Sequence, residues 1–269
     1  MRNLAHILFA VGMAGLGILS LIFRDFALNW QPVPTWVPFR EYLACASGAI
    51  LVATGIGMLV RPTAMVSTLF LFLFVLAWLL LLQVPRVVAD PANEGMWLGF
   101  GENLVLVSGG WTLFAFLAKP GDRWNVTLAN GDVGLRIGRV LFGLSLPLIG
   151  LSHFIYVNGT ASMVPAWLPD RTGFAYLTGA GHIAAGVGLL ISVAPRLAVT
   201  LEAIMMSLFV LLIHVPGVTA EPTSRLQWTM LFVAAALTGA GWAVAGSFLG
   251  VPWSKVGWPR RKDGLCRSE

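Results

Sequence analysis

The sequence predicts an all-α protein, a polytopic membrane helix bundle with eight transmembrane helices arranged as two parallel four-helix repeats. Composition gives the membrane class, because 57% of the 269 residues are hydrophobic and only 11% are charged. Soluble domains carry about 25% charged residues. The apolar runs are about 20 residues long and do not alternate with polar residues, which favours spanning helices over barrel strands. An internal repeat then predicts how the helices are organised.

Each of the eight apolar segments is long enough to cross about 30 Å of hydrocarbon at about 1.5 Å per residue. The predicted spans are 4–23, 42–60, 63–83, 98–118, 138–157, 174–192, 197–215 and 227–249. Proline-containing pairs such as Val84-Pro85 and Val215-Pro216 follow several of these runs. Because proline normally ends a helix, we expect the third and seventh helices to stop there.

The internal repeat is defined by short motifs that recur 131 positions apart. The clearest are Pro34-Thr-Trp-Val-Pro38 and Pro165-Ala-Trp-Leu-Pro169, the PxWxP loops. The other motif pairs are Gly55–Gly57 with Gly186–Gly188, Val84-Pro85 with Val215-Pro216, and Gly110-Trp111 with Gly241-Trp242. Because each unit has an even number of spans, the two units should run in parallel.

The expected division of the chain follows from this repeat. It comprises a first four-helix unit over 1–118, a cytoplasmic polar linker over 119–136, a second unit over 137–250 and a basic cytoplasmic tail over 251–269.

Basic residues predict the orientation. The net charge is +5, which in a soluble protein would suggest nucleic acid, but in a membrane protein it reflects loop orientation. Of the Lys and Arg residues, 12 lie on one set of loops and 5 on the other. We therefore expect both termini in the cytoplasm, the PxWxP loops outside, a bacterial-type inner membrane and the lipid bilayer as partner, with no nucleic acid. Cys45 and Cys266 form no disulfide or redox motif.

Three of the four histidines, His153, His182 and His214, lie in the apolar segments of the second unit at similar depth. Ionisable side chains inside a membrane are costly and often functional. Facing helices commonly build metal or cofactor sites, and imidazole is a frequent metal ligand. The alternative is that each histidine separately bonds a backbone carbonyl or interfacial water. The matching positions of the first unit hold Ser20, Leu51 and Gln83.

Other polar residues have plainer expectations. Glu202 should pair with Arg196 or Arg139, and a proton relay from it to His214 is disfavoured because few polar residues lie between them. Gln83, Glu102 and Asn103 are expected near the outer mouth of the first unit. The tryptophans of the PxWxP loops are interpreted as part of an interfacial aromatic belt, and the alternative is a stiff cap over the bundle mouth.

Several motifs of the second unit resemble the DoxX-like membrane proteins. They are Gly-Leu-Ser-His153-Phe154, the loop Val164–Pro169, and Tyr176-Leu-Thr-Gly179 followed by a polar residue at position 182. The family pattern has glutamate where this chain has His182. The resemblance implies tandem four-helix units and adds Trp167 and Tyr176 to the candidate cofactor-binding residues. Some DoxX-like relatives are linked to thiosulfate:quinone oxidoreductase, an activity not expected here because no sulfur-reactive cysteine stands out.

The functional prediction is a histidine-lined site open to the outer side, with a role in membrane redox or metal-linked physiology. His153, His182 and His214 are the candidate ligands of a metal ion, and a quinone is the other cofactor considered. A membrane or periplasmic redox partner is expected. The alternatives are a small-solute carrier or permease and a non-catalytic scaffold subunit. P-loop, haem-attachment, HExxH and EF-hand motifs are absent from the sequence.

Overall fold

The computed structural model describes residues 4–118 and 131–257, which are helical apart from loops and a single bridge between Val193 and Val256. Eight helices in this part of the chain are long and apolar enough to cross a membrane. They are α1 (Leu4–Phe23), α2 (Arg40–Leu59), α3 (Ala64–Ala89), α4 (Glu94–Leu117), α5 (Gly131–Ile155), α6 (Arg171–Leu190), α7 (Pro195–Ala220) and α8 (Arg225–Gly246). The predicted all-α membrane bundle is confirmed. The outer faces of its helices expose large apolar side chains, as expected for contact with a lipid bilayer.

Helices α3 and α7 continue past Pro85 and Pro216, so the predicted ends at 83 and 215 are wrong. A π-helical turn precedes each proline, at Leu79–Gln83 in α3 and at Val210–His214 in α7. A regular α-helix resumes after each turn with proline in its first positions. Proline is tolerated there because its missing N–H would have no partner in a first turn.

The described parts of the predicted linker and tail have regular contacts or structure. Helix α5 begins at Gly131, so the end of the predicted linker is helical, while residues 119–130 lie outside the described residues. The first part of the predicted tail, 251–257, folds back onto the loop between α6 and α7. There Ala194 N–H donates to the Lys255 carbonyl oxygen at 2.8 Å. The remainder of the tail, 258–269, lies outside the described residues.

The second and third helices of the two repeats have matching boundaries. Helices α2 and α6 begin at Arg40 and Arg171, and the two π-helical turns begin at Leu79 and Val210, in both cases 131 positions apart. Even side-chain contacts recur, since the Trp97 indole donates to the Pro91 carbonyl and the Trp228 indole to the Pro222 carbonyl. The internal repeat that the sequence motifs predict is therefore also present in the structure.

Within the described residues, helices pack in chain order in each unit, and the main helix pairs between the units are α1 with α8, α4 with α5, and α4 with α8. Exchanging the two units turns the contact of α1 with α8 into that of α5 with α4 and leaves the contact of α4 with α8 unchanged. Helices α4 and α8 are the most buried of the eight, as expected because each contacts at least three other helices. Two shorter elements complete the end of the bundle that carries the PxWxP loops, a 3-10 turn at Leu28–Trp30 and a helix at Val157–Met163. We call this the PxWxP end.

Glycines bring α5 and α6 into backbone contact. A Cβ atom on Gly150 would lie 2.6 Å from the Gly179 carbonyl oxygen, closer than any side chain allows. Gly17 stands in the same relation to Gly48 in the first unit, also at 2.6 Å. Small residues commonly allow such close approach between membrane helices. In the second unit the contact lies about one turn from His153 and His182, so it fixes how close those two side chains come.

Candidate functional site

A cavity of about 740 Å³ lies at the PxWxP end of the second unit. Its walls come from the ends of α5 and α7 and the beginnings of α6 and α8, and the helix Val157–Met163 lies over it. Most of the lining is apolar, including Leu177, Met206, Phe209, Val233 and Leu237. His153, His182 and His214 all line it as well. The structure thus brings the three histidines to one cavity, although spacing along separate helices could not show that they converge.

His182 and Glu202 form a hydrogen-bonded pair, with His182 Nδ1 2.7 Å from Glu202 Oε1. Only 2% of His182 and 1% of Glu202 is accessible to solvent. Within the described residues, neither His182 Nε2 nor Glu202 Oε2 has a hydrogen-bond partner. His182 contributes to the cavity wall and Glu202 lies behind it, so the pair joins the cavity to the middle of the bundle.

The predicted pairing of Glu202 with Arg139 or Arg196 is wrong. Arg139 donates to Ser247 Oγ at 2.8 Å and its guanidinium lies 4.1 Å from the Phe248 ring centre. Arg196 donates to the Val251 carbonyl oxygen at 2.8 Å. Both arginines thus bind the chain that follows α8. The carboxylate of Glu202 points instead into the bundle, where His182 is its partner.

His153 stands beside His182, with ring centres 5.1 Å apart and the rings edge to face. Its Nδ1 lies 2.9 Å from Thr178 Oγ1, and the Thr178 hydroxyl lies 2.9 Å from the Phe174 carbonyl oxygen. The Phe209 ring lies close to both imidazoles, with centres at 6.3 Å from His153 and 5.9 Å from His182. Phe209 therefore shields one side of the histidine pair with an apolar face.

His214 is the last residue of the π-helical turn in α7. Its Nδ1 is buried and has no hydrogen-bond partner in the described part of the chain. Across residues 4–118 and 131–257, no group of three or more His, Cys, Asp or Glu side chains is gathered closely enough to hold a metal ion. The three histidines of the described chain thus line one cavity without forming a three-residue ligand cluster.

The other two candidate cofactor-binding residues, Trp167 and Tyr176, do not contribute to the lining. Tyr176 stacks on Phe154 with ring centres 5.5 Å apart. On α6 the lining positions are 174, 177, 178 and 182, which share one helical face, and position 176 points away from that face. Trp167 is 71% exposed, while its neighbours Pro165 and Leu168 face the cavity. Its loop therefore covers the cavity in part, and the indole itself turns outward.

Three lining residues come from the first unit and were not expected there, Trp30, Leu98 and Glu102. The backbone of the Leu28–Trp30 turn is held by polar side chains of its own unit. Gln83 donates to the Asn29 carbonyl oxygen and Asn103 to the Trp30 carbonyl oxygen, each at 3.3 Å. Gln83 and Asn103 thus fill the mouth of the first unit and position Trp30 as a wall of the neighbouring cavity.

The first unit offers an internal comparison for the buried pair. At the repeat spacing of 131, His182 corresponds to Leu51 and Glu202 to Leu71. Both leucines are fully buried. The same helix pair in the same fold therefore carries two leucines in one unit and a hydrogen-bonded histidine and glutamate in the other. Comparison of Leu71 with position 202 is the sequence signal that would have singled out Glu202.

A scan against protein-family models, a search of curated proteins and a search of solved structures each give no match. The resemblance to DoxX-like proteins therefore rests on the sequence motifs around His153, the second PxWxP loop and Tyr176. What the fold defines is the class of protein, an integral membrane helix bundle with a duplicated four-helix unit.

Proposed function

We propose that this membrane protein binds a lipid-soluble ligand with a polar head group, of the quinone type, in the histidine-lined cavity, and acts in membrane redox physiology. The observation that carries the proposal is the buried His182–Glu202 pair beside the cavity, where the first unit has two leucines. The tandem DoxX-like architecture is part of the same proposal and rests on the sequence motifs.

The equivalent positions of the first unit hold no polar pair. Replacing a buried ion pair by well-packed apolar residues is often neutral or stabilising. The first unit packs Leu51 and Leu71 at the same places in its own helices. A polar pair kept in the second unit alone, and only beside the cavity, therefore supports a role in binding.

The lining defines the kind of ligand. Small-molecule sites are typically about 300–1,000 Å³, largely apolar, with a few placed polar groups. This cavity, about 740 Å³, follows that description, with three imidazoles and the Glu102 carboxylate among leucine, methionine, phenylalanine and valine side chains. A ring with polar substituents and an apolar tail matches such a wall better than a small hydrophilic solute, which would leave most of the apolar surface without a partner.

The cavity reaches the lipid-facing surface between α6 and α7. Leu177 of α6 and Leu208 and Leu212 of α7 belong to the lining and are exposed on the outside of the bundle. A ligand dissolved in the bilayer could thus reach the histidines without crossing water. With the orientation predicted by the basic residues, the cavity lies in the outer half of the membrane.

The proposal is tested by ligand content and affinity. Lipid extracts of the protein purified from native membranes should contain a quinone in amounts comparable to the protein. A decyl-substituted benzoquinone should bind the protein in lipid nanodiscs by calorimetry. The double variant His182→Leu/Glu202→Leu, which reproduces the first unit, should fold and lose at least about tenfold in affinity, the loss of one hydrogen bond to a charged group.

Thr68→Val is the matched control, because Thr68 is buried in α3 of the first unit and its hydroxyl bonds only its own helix. Unchanged affinity is expected for it. A folded protein without quinone binding, with flux of a small solute in proteoliposomes, would support the carrier instead. Absence of both, with a second chain that co-purifies in fixed ratio, would support the scaffold subunit.

A further inference from the structure

We infer that the His182–Glu202 pair presents an N–H donor to the cavity, so that the site binds the carbonyl form of its ligand more tightly than the hydroxyl form. This inference rests on the proposed function and names the oxidation state that the site favours. The structure supports it through the burial of the pair, the atoms that join it, the position of His182 in the cavity wall and the one ring nitrogen of His182 that has no partner within the described residues.

The pair is enclosed in an apolar interior. His182 and Glu202 are almost wholly buried, and the nearby arginines, Arg139 and Arg196, bind other groups. His153 stands beside His182, and Glu102 and His214 also line the cavity. A lone carboxylate in such surroundings is costly unless it is neutralised. The stable form of the pair is therefore the one with no net charge, which contains one proton more than a neutral imidazole and a carboxylate together.

The additional proton can be on the His182 imidazole or on the Glu202 carboxyl group, and in both cases His182 Nε2 carries a hydrogen. If it is on the imidazole, His182 is an imidazolium and both ring nitrogens carry hydrogen. If it is on Glu202, the carboxyl O–H donates to Nδ1, and the neutral imidazole carries its hydrogen on Nε2. The 2.7 Å hydrogen bond between Nδ1 and Oε1 is compatible with either form. In each case Nε2–H is a donor.

His182 Nε2 is buried and unpartnered within residues 4–118 and 131–257. A ligand oxygen that accepts from it therefore removes a desolvation cost that the protein alone leaves in place. A carbonyl oxygen accepts without bringing a hydrogen of its own. A hydroxyl oxygen brings a second hydrogen that needs an acceptor, so the hydroxyl form is bound less tightly.

His153 offers the opposite polarity but does not set the preference. The Thr178 hydroxyl donates to backbone carbonyl oxygens of its own helix, so Thr178 Oγ1 accepts from His153 Nδ1–H and His153 Nε2 is an acceptor. His153 Nε2 is not among the buried atoms that lack a partner. Water in the cavity can satisfy it when a carbonyl ligand is bound, whereas His182 Nε2 depends on the ligand.

The test measures the midpoint potential of a decyl-substituted benzoquinone bound to the wild-type protein in nanodiscs, relative to the same quinone in protein-free nanodiscs. One charge-assisted hydrogen bond should make the affinity for the oxidised quinone about tenfold higher than that for the reduced form. Such a ratio lowers a two-electron midpoint potential by about 30 mV. The infrared band of one quinone carbonyl should also move to lower wavenumber on binding.

Glu202→Gln is the diagnostic variant, because a neutral amide carries no shared proton. When its carbonyl oxygen accepts from His182 Nδ1–H, Nε2 becomes an acceptor, and when its NH2 group donates to Nδ1, Nε2–H stays an uncharged donor. The lowering of the potential should shrink, disappear or reverse in it. Glu221→Gln is the matched control, since Glu221 follows the same helix, is exposed and lies outside the cavity. The double variant His182→Leu/Glu202→Leu covers the case in which Glu202→Gln does not fold, and it too should show no lowering.

A bound quinone whose potential is unchanged or raised in the wild type would overturn the inference and leave the proposed function standing. Persistence of the lowered potential in the double leucine variant would overturn it as well. A folded protein that binds neither form would contradict the proposed function and this inference together.

Discussion

His182 and Glu202 compensate each other in the buried interior, so each is tolerated there only with its partner. Removing one partner leaves the other buried without compensation, which typically costs about 3–5 kcal/mol. We therefore expect His182→Leu and Glu202→Leu each to lower the free energy of unfolding by that amount. The double variant should be about as stable as the wild type, because the first unit packs leucine at both positions. Unfolding of the purified variants in detergent measures all three values, and additive effects of the two single changes would contradict the expectation.

Asp25 joins the two units at the PxWxP end, where it accepts hydrogen bonds from Arg40 of α2 and from Arg225 of α8, the latter at 3.0 Å. Burial acts to raise the pKa of Asp25, but the bonds from Arg225 and Arg40 outweigh it and hold the pKa below its ordinary value. This carboxylate therefore stabilises the fold above the unfolded-state pKa of about 3.9, and the contribution is lost as the pH falls through the folded-state pKa.

Asp25→Asn should accordingly lower the stability by about 1 kcal/mol at pH 7, the upper range for a partly exposed ion pair. The difference from the wild type should vanish when unfolding is measured at increasingly acidic pH. Glu41→Gln serves as control, because the ion pair of Glu41 with Arg24 is largely exposed and should contribute little at any pH. An equal loss in both variants would show that the Asp25 cluster has no special role.

Among the helices, the contact of α5 with α6 sets the spacing of the two adjacent histidines. A Cβ atom on Gly179 would lie 2.7 Å from His153 Cβ and 2.9 Å from the Gly150 carbonyl oxygen. Gly179→Ala should push α5 and α6 apart, cost about 1–3 kcal/mol in stability and weaken quinone binding. Gly246→Ala is the control, since a Cβ there meets nothing within 4 Å. Equal stability and affinity of the two variants would contradict this account.

The existence of the helices could be predicted from the sequence, but two of their ends could not. Continuous apolar runs are a strong signal because a spanning helix needs about 20 apolar residues. The prolines at 85 and 216 were interpreted as stops because a regular α-helix leaves no place for them. A π-helical turn creates that place, and it depends on how α3 and α7 pack against their neighbours, which no local sequence pattern records.

At the scale of the whole molecule, the membrane orientation can be tested directly. With both native cysteines replaced, single cysteines at Thr160 and Ala220 should react with an impermeant maleimide added from outside. A cysteine at Leu128 should react only after the membrane is opened. The expectation follows from the distribution of basic residues, 12 against 5 between the two sets of loops. Labelling of position 128 from outside intact cells would reverse the assignment.

The cavity was only partly predictable. The histidines could be placed at one depth, because helical rise is constant along each span. Their convergence depends on the rotation of α5, α6 and α7 about their axes, and that rotation is set by contacts such as Gly150 with Gly179. The contribution of Trp30 and Glu102 depends on how the first unit docks beside the second. The partner of Glu202 lies on another helix, so no spacing within α7 could reveal it.

The exchange symmetry of the helix contacts has a consequence for how such a chain could arise. The contacts α1 with α8 and α4 with α5 are equivalent, as in a homodimer with a twofold axis. In a homodimer every substitution occurs twice, so a polar pair that benefits one site must also be accommodated in the other. Joining the two copies in one polypeptide removes that coupling. One copy can become a purely structural half that lends a wall to its neighbour, while the other carries the ionisable residues.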